Sequence, residues 1–333
     1  MKVYAGMDPR LEFRDAIAHA QRVERLGYDG LHVAETVHDA LAVALIVAEH
    51  TERITVRTSV ALAFTRSPTL LAYAAWDLAK LSGGRFQLGL GTQIRQNIED
   101  RYAVPFGEDP IARLGDYVGA VRAVFASFAS GEPPSYESPY YRVTRMQPYF
   151  NPGPDAATAA PPIYLGGVQR RACELAGAIA DGFVSHPTNS NPRYLREVCL
   201  PALAEGARAA GRDLVSPAFE TVVGTQVITG SSSAEVERER ERQRRLLAFL
   251  YSTPAYAPLS AGAITRPSAR SRRRRTRRRP RPRSGATPRG PGRGWRSAPA
   301  GPWAARRRCR TARARRAPRR AGGSPGLPSA GGG

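Results

Sequence analysis

Hydrophobic and polar positions over residues 1–259 alternate between two textures. Short apolar runs of strand length are followed by longer stretches in which apolar residues recur every three or four positions. "KVYAGM" predicts a strand. "EFRDAIAHAQRVERLG" predicts a helix, with Phe13, Ile17, Ala20, Val23 and Leu26 near helical spacing and Gly27 as its stop. "GLHVAE" and "DALAVALIVAEHT" repeat the pair, and this second helix is apolar enough to be covered on most sides. "ITVRTSVALAF", rich in β-branched residues, predicts a third strand, and Ser67-Pro68 opens the helix "TLLAYAAWDLAKLSGG", which ends at paired glycines. "RFQLGLG" is a fourth strand. After a long connection, "RLGDYVGAVRAVFASFASG" is a fourth helix and "PSYESPYYRVTRM" a small hairpin. "PPIYLGG", "GFVSH" and "FETVVGTQVITG" then predict strands five to seven. Their helices are "RRACELAGAIAD", "PRYLREVCLPALAEGARAAG" and "SAEVERERERQRRLLAFLYST".

Strand-then-helix units in series predict an α/β fold with a parallel sheet. The two solutions are an open doubly wound sheet and a closed (β/α)8 barrel. No G-x-G-x-x-G opens a helix after the first strand, which argues against a dinucleotide-binding sheet. Seven units, with an eighth expected after them, predict a TIM-type barrel.

Charge changes the picture at the carboxyl end. The 333-residue chain carries 50 Lys and Arg against 28 Asp and Glu, a net +22. Residues 260–333 hold 23 Arg and no acid, so residues 1–259 keep 27 basic against 28 acidic residues and are nearly neutral. That tail lacks Lys, Asp, Glu, Asn, Gln, His, Phe, Tyr, Val and Met, and its only branched aliphatics are Ile264 and Leu327. It cannot bury enough apolar surface to offset chain entropy, and is expected to be disordered. Three readings compete: a nucleic-acid arm, a solvated linker, and a GC-rich gene read out of frame. The third accounts best for an Arg, Ala, Gly and Pro mixture that omits so many residue types. The expected organisation is therefore a barrel domain over 1–259 and an out-of-frame tail over 260–333, with the break near Tyr256–Ala263. The barrel would then lack its last strand and helix, at a cost in solubility or activity.

Cys173, Cys199 and Cys309 show no metal spacing, and read as thiols of a reducing compartment. The amino terminus has no signal-peptide core and no run is long enough for a membrane span, so the expected location is cytoplasmic. No metal, no membrane and no specific nucleic acid is expected as a partner; a homodimer stays open.

In a barrel, chemistry gathers at the carboxyl ends of the strands. Strand two offers Glu35 and His38 as an acid–base pair, against the simpler reading of a helix-capping loop in which Asp39 is the N-cap. Strand three offers Ser59, Ala61 and Phe64. Strand four offers Gly91 and Thr92, small enough for a flat ring to approach the backbone or simply for packing. Strand five ends in Gly166, Gly167, Val168 and Gln169, followed by a helix whose first turn carries Arg170 and Arg171. Free N–H groups and cationic side chains would suit a phosphate there; a tight turn with solvated arginines is the plainer alternative. His186, beside Pro187, lines a pocket or caps a strand.

"GYDGLHVAE", "RTSVALAF", "AAWDLAKLSGGRFQLGLGTQ", "PPIYLGGV" and "ADGFVSHP", in this order, resemble the bacterial-luciferase-like monooxygenase superfamily. "LSGGRFQLGLG", and "STPAY" after the seventh helix, resemble its branch of oxidoreductases that use the deazaflavin coenzyme F420. The resemblance runs from Met1 to about Leu259. It implies a barrel holding a deazaflavin, or FMN in the monooxygenase branch, at its carboxyl-end mouth. It implies a non-proline cis peptide at Ser59-Val60 or Val60-Ala61 behind the ring, and Gly91 and Thr92 at the ring's edge. Gly166, Gly167, Val168, Gln169 and Arg170 would be at the phosphate, Glu35 or His38 would be the proton partner, and Phe64 and His186 would be near the substrate. The implied activity is hydride transfer to or from a small organic substrate; FMN-dependent oxygenation is the alternative, and nucleic-acid binding through the tail is a third, unrelated one. Two departures matter. The residue after Glu35 is Thr36, where many relatives place a histidine. Ile94 stands where deazaflavin-dependent sugar-phosphate dehydrogenases carry a glutamate, so sugar-phosphate oxidation is not expected.

Overall fold

Apolar alternation places one face of each strand against helices and the other toward a common axis. The computed structural model describes residues 1–155, 157–214 and 219–252. They fall in the first of two units of the chain, Met1–Arg270; the second, Ser271–Gly333, lies outside the described residues. So do the proposed break, the tail, Cys309 and nearly all of "STPAY".

The strands are β1 (Tyr4–Gly6), β2 (Gly30–Val33), β3 (Thr55–Thr58), β4 (Ala61–Leu62), β5 (Phe86–Gly91), β6 (Tyr136–Glu137), β7 (Arg142–Val143), β8 (Ile163–Gly167), β9 (Gly182–Ser185) and β10 (Glu220–Val222). The helices are α1 (Phe13–Arg25), α2 (Ala40–Glu49), α3 (Pro68–Leu81), α4 (Pro110–Ser130), α5 (Arg170–Ile179), α6 (Pro192–Tyr194), α7 (Leu200–Ala209) and α8 (Ser233–Tyr251). The main sheet runs β1-β2-β3-β5-β8-β9-β10, with β4 beside β5, and its pairings are all parallel. β6 and β7 form the separate antiparallel hairpin expected from "PSYESPYYRVTRM".

The sheet curls into a barrel-like α/β fold. Among the described residues no ladder joins its ends, β1 and β10, but Lys2, just ahead of β1, reaches Glu220 of β10, with Nζ 2.7 Å from Oε1. The third strand is divided into β3 and β4, and the Ser59-Val60 peptide between them is cis, one of the two bonds expected. The fourth helix begins earlier than the pattern shows, at Pro110, where the Asp109 carboxylate accepts from the Ile111 and Ala112 N–H groups. A π-helical turn, Leu195–Cys199, joins α6 to α7 in what read as one helix. The seventh strand is shorter than its apolar run: Val223–Gly230 continue without regular structure.

Leu31, Val33, Val56, Phe86, Leu88, Leu90, Ile163, Leu165 and Phe183 form the buried layer between sheet and helices. Gln87, Gly89 and Gly91 alternate with the β5 members of this layer and face the axis. At the amino end of the barrel a polar cluster fills that axis. Arg57 is 0 % exposed, and its guanidinium lies 4.7 Å from the Tyr4 ring and 4.0 Å from the Tyr164 ring. It donates to Gln87 Oε1 (2.6 Å) and Glu220 Oε2 (2.9 Å), and Tyr164 also donates to Glu220 (2.8 Å). His32 sits against Tyr4 at 4.9 Å, and burial together with the Arg57 charge pushes its pKa down to about 4.

α5 and α7 touch backbone to backbone. A Cβ on Gly177 would fall 2.0 Å from the Leu203 carbonyl oxygen, and one on Gly206 would fall 1.8 Å from that of Glu174. Gly177→Ala must therefore push the helices apart, and a loss of about 1–3 kcal/mol is expected in urea unfolding. A variant as stable as the parent would show that the crossing tolerates a methyl group.

Candidate active site

The carboxyl ends of the strands carry the candidate site. At its base Val60, the residue after the cis bond, lies against bare backbone. A Cβ on Gly91 would come 2.7 Å from Val60 Cγ2, and one on Gly166 2.9 Å from Val60 Cγ1. Gly91 and Gly166 thus sit at one pole of the barrel, on either side of Val60. Ser59 is anchored through its N–H to the Val33 carbonyl (2.6 Å), and Ala61 is fully buried in β4 opposite Leu90. Thr92 donates its hydroxyl to the Gln93 carbonyl (3.0 Å), and Gln93 takes the left-handed conformation with φ 59°.

Glu35 braces the neighbouring strands. One carboxylate oxygen accepts from the Leu62 N–H (2.7 Å) and from Arg66 (3.0 Å); the other accepts from Arg66 (2.8 Å). Arg66 also reaches Asp39 (2.6 Å), which caps α2 by accepting from Leu41 and Ala42, as the capping reading anticipated. Burial alone would raise the Asp39 pKa; Arg66 and the two N–H groups outweigh it and hold the carboxyl below the usual range. His38 packs its ring on Phe13 of α1 at 5.0 Å, and among the described residues no hydrogen bond joins it to Glu35. The geometry therefore does not assemble these two into a pair.

The turn from β8 into α5 is held from behind. Asn189, 0 % exposed, donates to the Gly167 carbonyl (2.7 Å), and the Tyr194 hydroxyl donates to the Val168 carbonyl (3.1 Å). Gln169 stands at the N-cap of α5, its carbonyl accepting from Ala172 and Cys173. The arginines are drawn elsewhere: Arg170 pairs with Glu174 (2.7 Å) and Glu205, and Arg171 with Asp109 (2.6 Å). Both arginines of this turn are thus held in surface ion pairs.

His186 donates its N–H to Asn189 Oδ1 (2.7 Å). Its ring Nδ1 lies 2.8 Å from the Thr188 hydroxyl and 3.3 Å from the Thr188 backbone nitrogen. Burial pushes its pKa down to about 4, so the ring is neutral at pH 7. Phe64 is 3 % exposed, edge-on to Phe106 at 5.9 Å and under the Arg113 guanidinium at 4.1 Å; it packs the wall behind the mouth. Asn189, Tyr194 and Arg66 were not anticipated from sequence. Arg66 and Asn189 lie in loop-like stretches, and Tyr194 ends the short helix α6, where nothing local marks a partner.

Among the described residues no group of His, Cys, Asp and Glu could hold a metal ion, and no helix is long and apolar enough to cross a membrane.

Residues 3–305 match the luciferase-like monooxygenase family. The chain belongs to it. The match reaches past Leu259, where the residue-level resemblance was expected to stop. This luciferase-like chain is 40 % identical over 237 residues to the uncharacterized protein Rv1360 of Mycobacterium tuberculosis, covering 71 % of this chain and 68 % of that protein. It is 32 % identical over 170 residues to an F420-dependent glucose-6-phosphate dehydrogenase of Nakamurella multipartita, covering 50 % of this chain and 47 % of that one. Solved structures share the fold. Coenzyme F420-dependent tetrahydromethanopterin reductase from Methanopyrus kandleri aligns at TM-score 0.55 and 22 % identity, over 66 % of this chain and 64 % of that one. The oxygenating constituent of 3,6-diketocamphane monooxygenase from Pseudomonas putida, in complex with FMN, aligns at TM-score 0.61 and 17 % identity, over 79 % of each.

Proposed function

We propose that this protein is an F420-dependent oxidoreductase that passes a hydride between the deazaflavin and a small organic substrate. The observation that carries the reading is the mouth itself. The Val60 side chain occupies the space that a Cβ on Gly91 or Gly166 would need, which makes it the floor on which a planar ring would rest, and the β8–α5 turn stands alongside. A Cβ at either glycine would displace Val60 from that floor.

In this reading Ser59, Val60 and Ala61 would support the ring's face, and Gly91 and Thr92 its edge. Gly166, Gly167, Val168 and Gln169 would hold the phosphate through backbone groups, while Arg170 would add charge only by leaving Glu174 and Glu205. Bound F420 supplies the hydride chemistry; the protein orients it and moves a proton. Both carboxylate oxygens of Glu35 are engaged by Arg66 and Leu62, so the proton is assigned to an imidazole nitrogen of His38. His186, held neutral by burial, would face the substrate without adding a charge. Ile94 stands where sugar-phosphate dehydrogenases of this kind carry a glutamate, which directs the reading to another substrate class.

FMN is the second reading, favoured by the likeness to the FMN-bound camphane monooxygenase component. Fluorescence titration of the full chain with F420 and with FMN separates the two. F420 is expected to bind at micromolar concentration and FMN more weakly. If neither binds below about 1 mM, the cofactor reading falls.

A further inference from the structure

We propose that Asn189, supported by Tyr194, is a positioning residue that aims the backbone of the β8–α5 turn at a phosphate. This rests on the reading above, that the turn holds the phosphate of the cofactor. A peptide unit is planar, and the units here are trans. Its carbonyl and its N–H therefore point in opposite directions, and capturing one sets the other. Asn189 captures the Gly167 carbonyl at 2.7 Å, which turns the Val168 N–H the opposite way. Tyr194 captures the Val168 carbonyl at 3.1 Å, which does the same for the Gln169 N–H. Two successive N–H groups are thus set from behind by two side chains, just ahead of the first turn of α5.

Asn189 is suited to the task because it cannot turn. It is fully buried, its Oδ1 accepts the His186 N–H at 2.7 Å, and its amide nitrogen also lies 3.6 Å from Cys199 Sγ. Swapping oxygen for nitrogen would face a carbonyl to a carbonyl and an N–H to an N–H. The residue thereby ties three elements together: the end of β8, the end of β9 and the π-helical turn before α7. The loop around it is braced in its turn. Ser185 Oγ meets Ser190 Oγ at 2.7 Å and accepts the Gly224 N–H at 3.0 Å, and Tyr251 donates to the Thr188 carbonyl at 2.9 Å.

The test compares binding of each phosphorylated cofactor with that of its phosphate-free core. The full chain and its Asn189→Ala and Tyr194→Phe variants are titrated with F420 and its core, and with FMN and riboflavin. Asn189→Ala is expected to weaken the phosphorylated form about tenfold and to leave the core within about twofold. Tyr194→Phe, which loses only a hydroxyl and keeps the fold testable, is expected to cost the phosphorylated form about threefold. Variants that lose nothing, or lose both forms in equal proportion, overturn the part given to Asn189. A parent chain that binds each core as tightly as its phosphorylated form, or binds none of the four, overturns the phosphate seat and the proposal with it.

Discussion

Acidification from pH 7 to pH 4 is expected to destabilise the protein through two histidines. His32 and His186 are buried, and burial pushes each from the ordinary 6.5 to about 4. His32 also faces the Arg57 guanidinium, with Nη1 3.4 Å from its Nε2. A depressed histidine pKa means that the unfolded chain binds the proton more readily. The stability is therefore fully present above pH 6.5 and is lost as pH falls from there toward 4. Each group contributes about 3 kcal/mol over that window, so the two together rival the whole stability of an ordinary domain. Carboxylates held below their usual range, such as Glu24 and Glu220, add to the loss only at the acid end. Urea unfolding at half-unit pH steps reads the slope. His32→Gln and His186→Gln should each remove about half of it, and a parent protein equally stable at pH 6.5 and 4.5 would show that neither ring is held neutral.

Glu220→Leu is expected to cost about 3 kcal/mol or more, because it strands a fully buried Arg57 without its counter-charge. Burial alone would raise the Glu220 pKa. The hydrogen bonds from Lys2 and Tyr164 and the charges of Lys2 and Arg57 outweigh it and hold the carboxyl below the usual range. Its stabilisation is accordingly present above about pH 4.5 and lost as pH falls below that. Arg57→Met should cost less, about 1–2 kcal/mol, since it leaves Glu220 partly exposed and still paired with Lys2. Chemical denaturation of both single variants and the double variant checks the order. Equal costs would mean that Glu220 does not compensate Arg57.

Periodicity was enough for the strand and helix series and for the parallel sheet, because each apolar strand face must find a helix. The pole that carries Gly91, Gly166 and the Ser59–Ala61 stretch followed from the rule that loops after parallel strands gather at one end. Side-chain partners did not follow. Glu35 read as a free acid because Arg66, thirty-one positions away, gives no local sign of reaching it. Arg170 and Arg171 read as phosphate ligands because Glu205 and Asp109 are brought to them only by tertiary packing. The short β10 was misjudged for a related reason: "VVGTQVITG" has strand composition, but only Glu220–Val222 pair with β9. Arg57 passed unnoticed inside a β-branched run, where a charged residue ordinarily marks a solvated face.

Arg57, Tyr4, Tyr164, Gln87 and Glu220 make the barrel a cup and not a pipe. With that foot stoppered, the described strands leave the carboxyl end as the approach to the axis. Cofactor and substrate would share that doorway, so a reacted molecule must clear the threshold before another takes its place.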